Sequence, residues 1–290
     1  MADVRGDISL HDPSSWPDAD LFHAGFPCQS FSTAGHRRGT RDPRGKVIYA
    51  ILDLIEVKLF RAVLLENVKG IMDPKFKHLL KWVVKQLQAL GYVVHYKVLN
   101  ARYHGVPQNR ERFFLVAALR TAISHEAVFK WPRDLAEVPL ESILDPLTEE
   151  ELRTYLGQKR PPQANARQQV DEAYTAMESY GISPVTKNMV VDCDGSKFHM
   201  MFNISPCLTR TRAASGGHWV TSRGRRFTTG EMERVQGISN LTRPESVSLR
   251  AWHSMLGNSI PVPLLQRVLA ELCNWAGLQP NRVEDPYFSG

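Results

Sequence analysis

Between residues 20 and 119 short apolar runs alternate with longer amphipathic ones, the alternation expected of a parallel sheet covered by helices. LFHAGF, at 21–26, reads as a strand. The polar, Gly- and Arg-rich stretch from Pro27 to Gly45 follows, then VIYAILDLIEVKLF at 47–60, whose apolar spacing suits a helix. AVLLEN at 62–67 reads as a second buried strand. From Pro74 to Leu90 the residues Leu79, Leu80, Val83, Leu87 and Leu90 fall on one helical face, and Gly91 supplies a stop. YVVHYKVLN and RFFLVAAL predict two further strands, separated by the turn-like GVPQN.

Beyond Arg120 no stable period holds until about Arg226, which predicts a smaller, separate domain. Its last part, TRTRAASGGHWVTSRGRRFTT, sets Arg210, Arg212, Arg223, Arg225 and Arg226 among small and hydroxyl residues. Helical pattern returns at Thr229 and again from Val262 to Trp275. The expected division is a first domain over 1–120, a second over 121–226, and a return to the first over 227–290.

At 290 residues with 43% hydrophobic content, the chain can bury a sizeable core. Its net charge of +6 and pI near 9.2 favour an acidic partner, nucleic acid foremost. No apolar run reaches the length of a membrane span and the first residues lack a leader pattern, so an intracellular protein with no membrane partner is expected. Cysteines stand at 28, 193, 207 and 273 with no CxxC pair and no His at zinc-ligand spacing, which predicts neither a disulfide framework nor a metal site. Cys273 reads as helix core.

Three constellations carry candidate chemistry. Gly25-Phe26-Pro27-Cys28-Gln29-Ser30-Phe31-Ser32 stands where a buried strand gives way to a loop, the end of a strand at which open α/β sheets build sites. A lone cysteine is most often a buried thiol, but His36, Arg37, Arg38, Arg41 and Arg44 follow closely and favour a thiolate. Glu66, closing the next strand, is either a helix cap or a site carboxylate. In Gln108-Asn109-Arg110-Glu111-Arg112, alternation along a strand would let Gln108, Arg110 and Arg112 point together, two guanidinium forks among them. A solvated edge strand is the plain alternative.

In order and content GFPCQSFS, ENVKG and QNRER resemble the fourth, sixth and eighth motifs of the DNA cytosine-5 methyltransferases. The segment from Arg226 through Thr229-Gly230-Glu231 to ERVQGI resembles the ninth, Leu256-Gly257-Asn258-Ser259 the tenth, and Gly6-Asp7-Ile8 sits at the spacing of the third. The resemblance implies a Rossmann-like methyltransferase sheet with a smaller target-recognition domain over 121–226. It implies S-adenosylmethionine as cofactor, held in part by Asp7, Ile8, Pro27, Asn258 and Ser259, and double-stranded DNA as partner.

The roles carried over are specific. Cytosine C5 is a poor nucleophile, and addition of the Cys28 thiolate to C6 turns the ring into an enamine able to take a methyl group. Glu66 matches the carboxyl that assists at N3, a task suited to a raised pKa. Arg112 matches the residue at the base carbonyl and Arg110 its support. A stacked base is out of reach, so the cytosine must flip, with Ser32 and Arg44 in the loop that closes over it. The five arginines from Arg210 to Arg226 are the expected DNA contacts of the second domain. The family's first and second motifs, a Gly-containing turn and an acidic residue for the cofactor ribose, have no counterpart before Asp7, so the sheet is expected to be N-terminally truncated. That leaves open a non-catalytic DNA-binding remnant, one subunit of a split enzyme completed by a second chain, or a tRNA cytosine-5 methyltransferase.

Overall fold

A computed structural model describes residues 6–26, 47–123, 127–154 and 159–287. The chain forms two compact units, Met1–Leu99 with Glu111–Arg133 and Arg267–Gly290, and Asn100–Arg110 with Asp134–Gln266. Among the described residues no helix is long and apolar enough to cross a membrane.

The first unit is built on β1 (Leu21–Gly25), α1 (Val47–Lys58), β2 (Ala62–Val68), α2 (Lys77–Ala89), β3 (Tyr92–Asn100) and β4 (Glu111–Leu119), with the strands in the order β1-β2-β4-β3. β1 and β2 are parallel, Gly25 opposite Glu66. The expectation of a parallel sheet fails at β4, which runs antiparallel to β2 with Val68 opposite Arg112. Its cause is the link from β3: only residues 101–110 separate β3 from β4, with no crossover helix.

Both faces of the central pair are covered. Val63 and Leu65, with Leu115 and Ala117, join Ile51, Ile55, Leu80, Val83 and Leu87 in one core, while Leu64 and Val116 on the other face are fully buried. Each of these valines, leucines and isoleucines contributes about 1.5–3 kcal/mol on burial. Leu59, at φ 47°, ends α1 in the left-handed region. α2 follows a short turn at Pro74–Phe76 whose first residue is preceded by Asp73, its carboxylate accepting from Lys75 N at 3.2 Å. Leu80, Val83 and Leu87 are its buried stripe. Its charged residues are Lys77, His78, Lys81 and Lys85, with no acid among them. The i,i+4 lysine pairs cost the helix about 0.2–0.5 kcal/mol each, and cations in its first turn oppose the macrodipole.

The second unit carries α3 (Glu149–Thr154), α4 (Ala164–Ser179), β5 (Met189–Val191), β6 (Met200–Phe202), α5 (Arg210–Ala214), β7 (Trp219–Val220), β8 (Arg225–Arg226), α6 (Thr229–Val235) and α7 (Leu249–Asn258). Its small sheet has the order β6-β5-β7-β8, antiparallel throughout. Val191 and Trp219 pack on Ala166, Val170, Ala173 and Tyr174 of α4, and Val190 and Val220 face Phe227, Met232, Trp252 and Leu256. α8 (Val262–Trp275) crosses the boundary of the units in sequence, and from Arg267 onward belongs to the first, where Trp275 meets His95 at 5.3 Å between centroids. Arg267, fully buried there, donates to Asp285 and to Arg133 O, both at 2.7 Å.

Candidate active site

Glu66 and Arg112 meet by strand geometry. Glu66 lies opposite Phe114 and Val68 opposite Arg112, so the two side chains are diagonal neighbours on one face of β2 and β4. Arg112 Nε lies 3.0 Å from Glu66 Oε1, and both side chains keep 12% of their exposure. Across the parallel pair, Gly25 faces Glu66. A Cβ at Gly25 would come within 3.2 Å of Glu66 Oε2, so the missing side chain is what leaves room for the carboxylate. Buried Asn67 donates from Nδ2 to Phe26 O at 3.5 Å and accepts from Val68 N at 2.8 Å. Glu66 therefore stands beside the end of β1, three residues before Cys28 in the chain. Cys28 itself, with Pro27, Ser32 and Arg44, lies outside the described residues.

Gln108, Arg110 and Arg112 do not converge. Gln108 donates to Val235 O at 2.9 Å and accepts from Leu208 N at 3.0 Å. Arg110 is almost wholly buried, and its guanidinium donates to Leu208 O at 2.8 Å, Gly257 O at 3.0 Å and Ser259 O at 2.7 Å. A buried cation is thus set against carbonyls at the C-terminal, negative end of α7, and Cys207 Sγ lies 3.3 Å away. Of the forks in QNRER, Arg112 serves Glu66, and Arg110 ties the Leu256-Gly257-Asn258-Ser259 turn to residue 208. The carboxamide of Asn258, at the end of α7, is exposed, and Ser259 Oγ donates to Leu256 O at 2.8 Å.

Asp7 caps a short turn at Ile8–Leu10. Its Oδ1 accepts from Ser9 N at 2.9 Å and Ser9 Oγ at 2.8 Å, and these bonds hold the carboxyl below its usual range. Ile8 packs against the first unit's core.

The arginines of the second unit are mostly occupied. Arg223 pairs with Glu141 at 2.5 Å and donates to Asp145 O at 3.0 Å. Arg225 grips fully buried Glu231 at 2.8 and 3.0 Å, Arg226 grips Asp194 with two bonds of 2.8 Å, and Arg212 lies 2.6 Å from Asp192. Arg210 differs: it is exposed, and no carboxylate among the described residues pairs with it. Glu231 is also the carboxylate of a capping box with Thr228. The sequence reading missed Glu141, Glu231, Asp192 and Asp194 as partners, since pairing across such separations has no fixed spacing. Asn67 was legible as part of the ENV string but not as the residue that fixes Phe26.

A family model described as C-5 cytosine-specific DNA methylase matches residues 2–274. The chain belongs to this family. Among cytosine-specific DNA methylases it is 30% identical over 275 residues to the Type II methyltransferase M1.ScrFI of Lactococcus lactis subsp. cremoris, covering 92% of this chain and 66% of that protein. It is 31% identical over 271 residues to M.NgoBI of Neisseria gonorrhoeae, covering 90% and 76%. Against M.MspI of Moraxella the share of the relative is 59%, so the chain spans two thirds or less of the length of several curated relatives. The fold matches a DNA modification methyltransferase described as putative and encoded within a prophage of E. coli, with a TM-score of 0.63 at 18% identity, over 94% of this chain and 86% of that one. It also matches the Dnmt2 methyltransferase of S. pombe, with a TM-score of 0.58 at 16% identity, over 92% and 82%.

Proposed function

We propose that this methylase chain transfers a methyl group to C5 of cytosine in duplex DNA through a covalent adduct on Cys28. The observation that carries the reading is the Glu66–Arg112 pair, 3.0 Å apart, seated over Gly25 at the end of the strand that leads to Cys28. On this reading Arg112 holds Glu66 in place and offers its remaining donors to the base carbonyl, while Glu66 bonds the N3 edge of a flipped cytosine. Withdrawal of electrons through N3 and the carbonyl opens C6 to the Cys28 thiolate. The S–C6 bond forms, the ring's electron pair moves to C5, and C5 would bond the methyl carbon as that carbon's bond to the donor sulfonium breaks and a neutral thioether leaves. Loss of the C5 proton then expels the thiolate and restores the aromatic ring.

S-adenosylmethionine, when bound, supplies the methyl group as an electrophile. The residues present fit it in one respect: Asp7 keeps an exposed carboxylate, a polar edge suited to an adenosyl group. Arg110 acts here as a positioning residue, holding the turn that bears Asn258 and Ser259. We read 121–226 as the target-recognition region, with Arg210 its free cation, and keep Ser32 and Arg44 as DNA contacts of the loop after Cys28.

The test is methyl transfer to mixed-sequence duplex DNA, with tRNA in parallel. Cys28→Ser should abolish transfer while DNA affinity holds, and Glu66→Gln should lower turnover by about 100-fold, the scale of one general acid–base contribution. Transfer surviving in Cys28→Ser, or a preference for tRNA, would overturn the proposal.

A further inference from the structure

We propose that the exposed face of α2 is a docking strip for the phosphate backbone of duplex DNA lying beyond the target base. This rests on the reading of DNA as substrate. Lys77, Lys81 and Lys85 recur at every fourth position, and all three are exposed, as are His78 and Lys75 just before the helix. No carboxylate among the described residues pairs with any of the three lysines, whereas Lys58 and Lys69 do pair, with Asp18 and Glu111.

Local energetics argue against this pattern. Two successive i,i+4 lysine pairs repel one another, and the cations of the first turn stand at the positive end of the helix dipole. A helix chosen for its own stability would carry acids there. A local conflict of this kind marks a surface whose charges answer to something outside the chain. The required partner is a polyanion of regular spacing. From Lys77 to Lys85 the axis rises roughly 12 Å, along which one DNA strand presents about three phosphates.

Position favours DNA over an acidic protein. The chain runs from Glu66 through two short turns, Lys69–Met72 and Pro74–Phe76, directly into α2, so the strip begins at the catalytic end of β2 and leads away from it. A duplex held with one base at Glu66 has flanking backbone to offer such a strip. Lysine suits the task, since a mobile point charge binds phosphate without demanding one geometry.

The experiment uses the full chain and a fluorescent mixed-sequence duplex of about 30 base pairs, with anisotropy read between about 50 and 200 mM salt. The variant K77Q/K81Q/K85Q should bind about tenfold more weakly, and the slope of log affinity against log salt should shrink by about 2–3, near 0.9 per phosphate contact. K77R/K81R/K85R should keep the slope. Thermal melting of the glutamine variant should be no lower than that of the unaltered chain, which removes misfolding as an explanation. An unchanged slope in the glutamine variant overturns the proposal and leaves the DNA reading standing. Failure of the unaltered chain to bind DNA overturns both. Loss of binding to polyglutamate with DNA affinity intact would assign the strip to an acidic protein and overturn it as well.

Discussion

Replacing Gly257 by Ala should loosen the second unit by about 1.5–5 kcal/mol, a net of one gain and two losses. A Cβ there would lie 2.4 Å from Thr209 O and 2.6 Å from both N and Cα of Arg210. Ordinary contact begins at 3.4 Å, so the backbones of α7 and α5 must part by 3.4 − 2.4, or 1.0 Å. Every atom met is backbone, and no rotamer can relieve it. Overpacking of this kind costs about 1–3 kcal/mol. Parting also stretches the bond from Arg110 to Gly257 O, now 3.0 Å, and a hydrogen bond to a charged donor contributes about 1.5–3 kcal/mol. Against these stands a helix-propensity gain of about 1 kcal/mol for Gly→Ala. The chain has two units, so a melting curve reports a change in stability without saying which unit bears it. Amide hydrogen exchange in α5 and α7 reads the affected unit directly, and slower or unchanged exchange in the variant would refute the reasoning. Loss of methyl transfer should accompany the faster exchange, because the same shift moves Asn258 and Ser259.

Arg225→Ala removes the cation facing fully buried Glu231 and should destabilise by about 3–5 kcal/mol, read as a fall in the melting temperature. Arg210→Ala should leave melting unchanged and lower DNA affinity; a melting loss there would place Arg210 in the framework with its neighbours. His218 is buried, with Asp192 3.8 Å away and Arg212 and Asp194 also near, and burial first of all pushes its pKa down from 6.5 to about 4. Its neutral form contributes stability that is whole above pH 6.5 and is lost as pH falls toward 4, because the unfolded chain takes up the proton first. That loss amounts to about 3 kcal/mol. His218→Asn should flatten melting between pH 7 and 5, and an unchanged pH profile in the variant would acquit His218.

What the sequence showed depended on whether a residue's partner was set by local geometry. β2, β4 and α2 were legible because burial on both faces, or a 3.6-residue stripe such as Leu80, Val83 and Leu87, leaves its period in the chain. Glu66 and Arg112 were legible because one stands near the end of its strand and the other at the start of its own, and antiparallel register makes such positions diagonal neighbours. α4 was missed although Ala166, Val170, Ala173, Tyr174 and Met177 fall on one face, because Pro161, Pro162 and four glutamines within 158–169 hide the stripe among polar residues. β5 to β8, two or three residues each, are too short to show alternation at all.

The arginines and lysines divide by the same logic. Arg212, Arg223, Arg225 and Arg226 looked alike in sequence to cations awaiting a phosphate, yet each is committed to carbonyls or carboxylates inside the second unit. A guanidinium presents a fixed fork, so once two of its donors are matched and buried, releasing it for DNA would leave Glu231 or Asp194 uncompensated. Such arginines can shape a recognition surface without touching it. Charge left over for a polyanion must then come from groups with no internal partner, and Arg210 and the lysines of α2 are described residues of that kind, as are exposed Lys97, Arg120 and Lys130. On the proposed reading, electrostatic contact with DNA falls to exposed, unpaired cations, while the buried arginines stiffen the second unit.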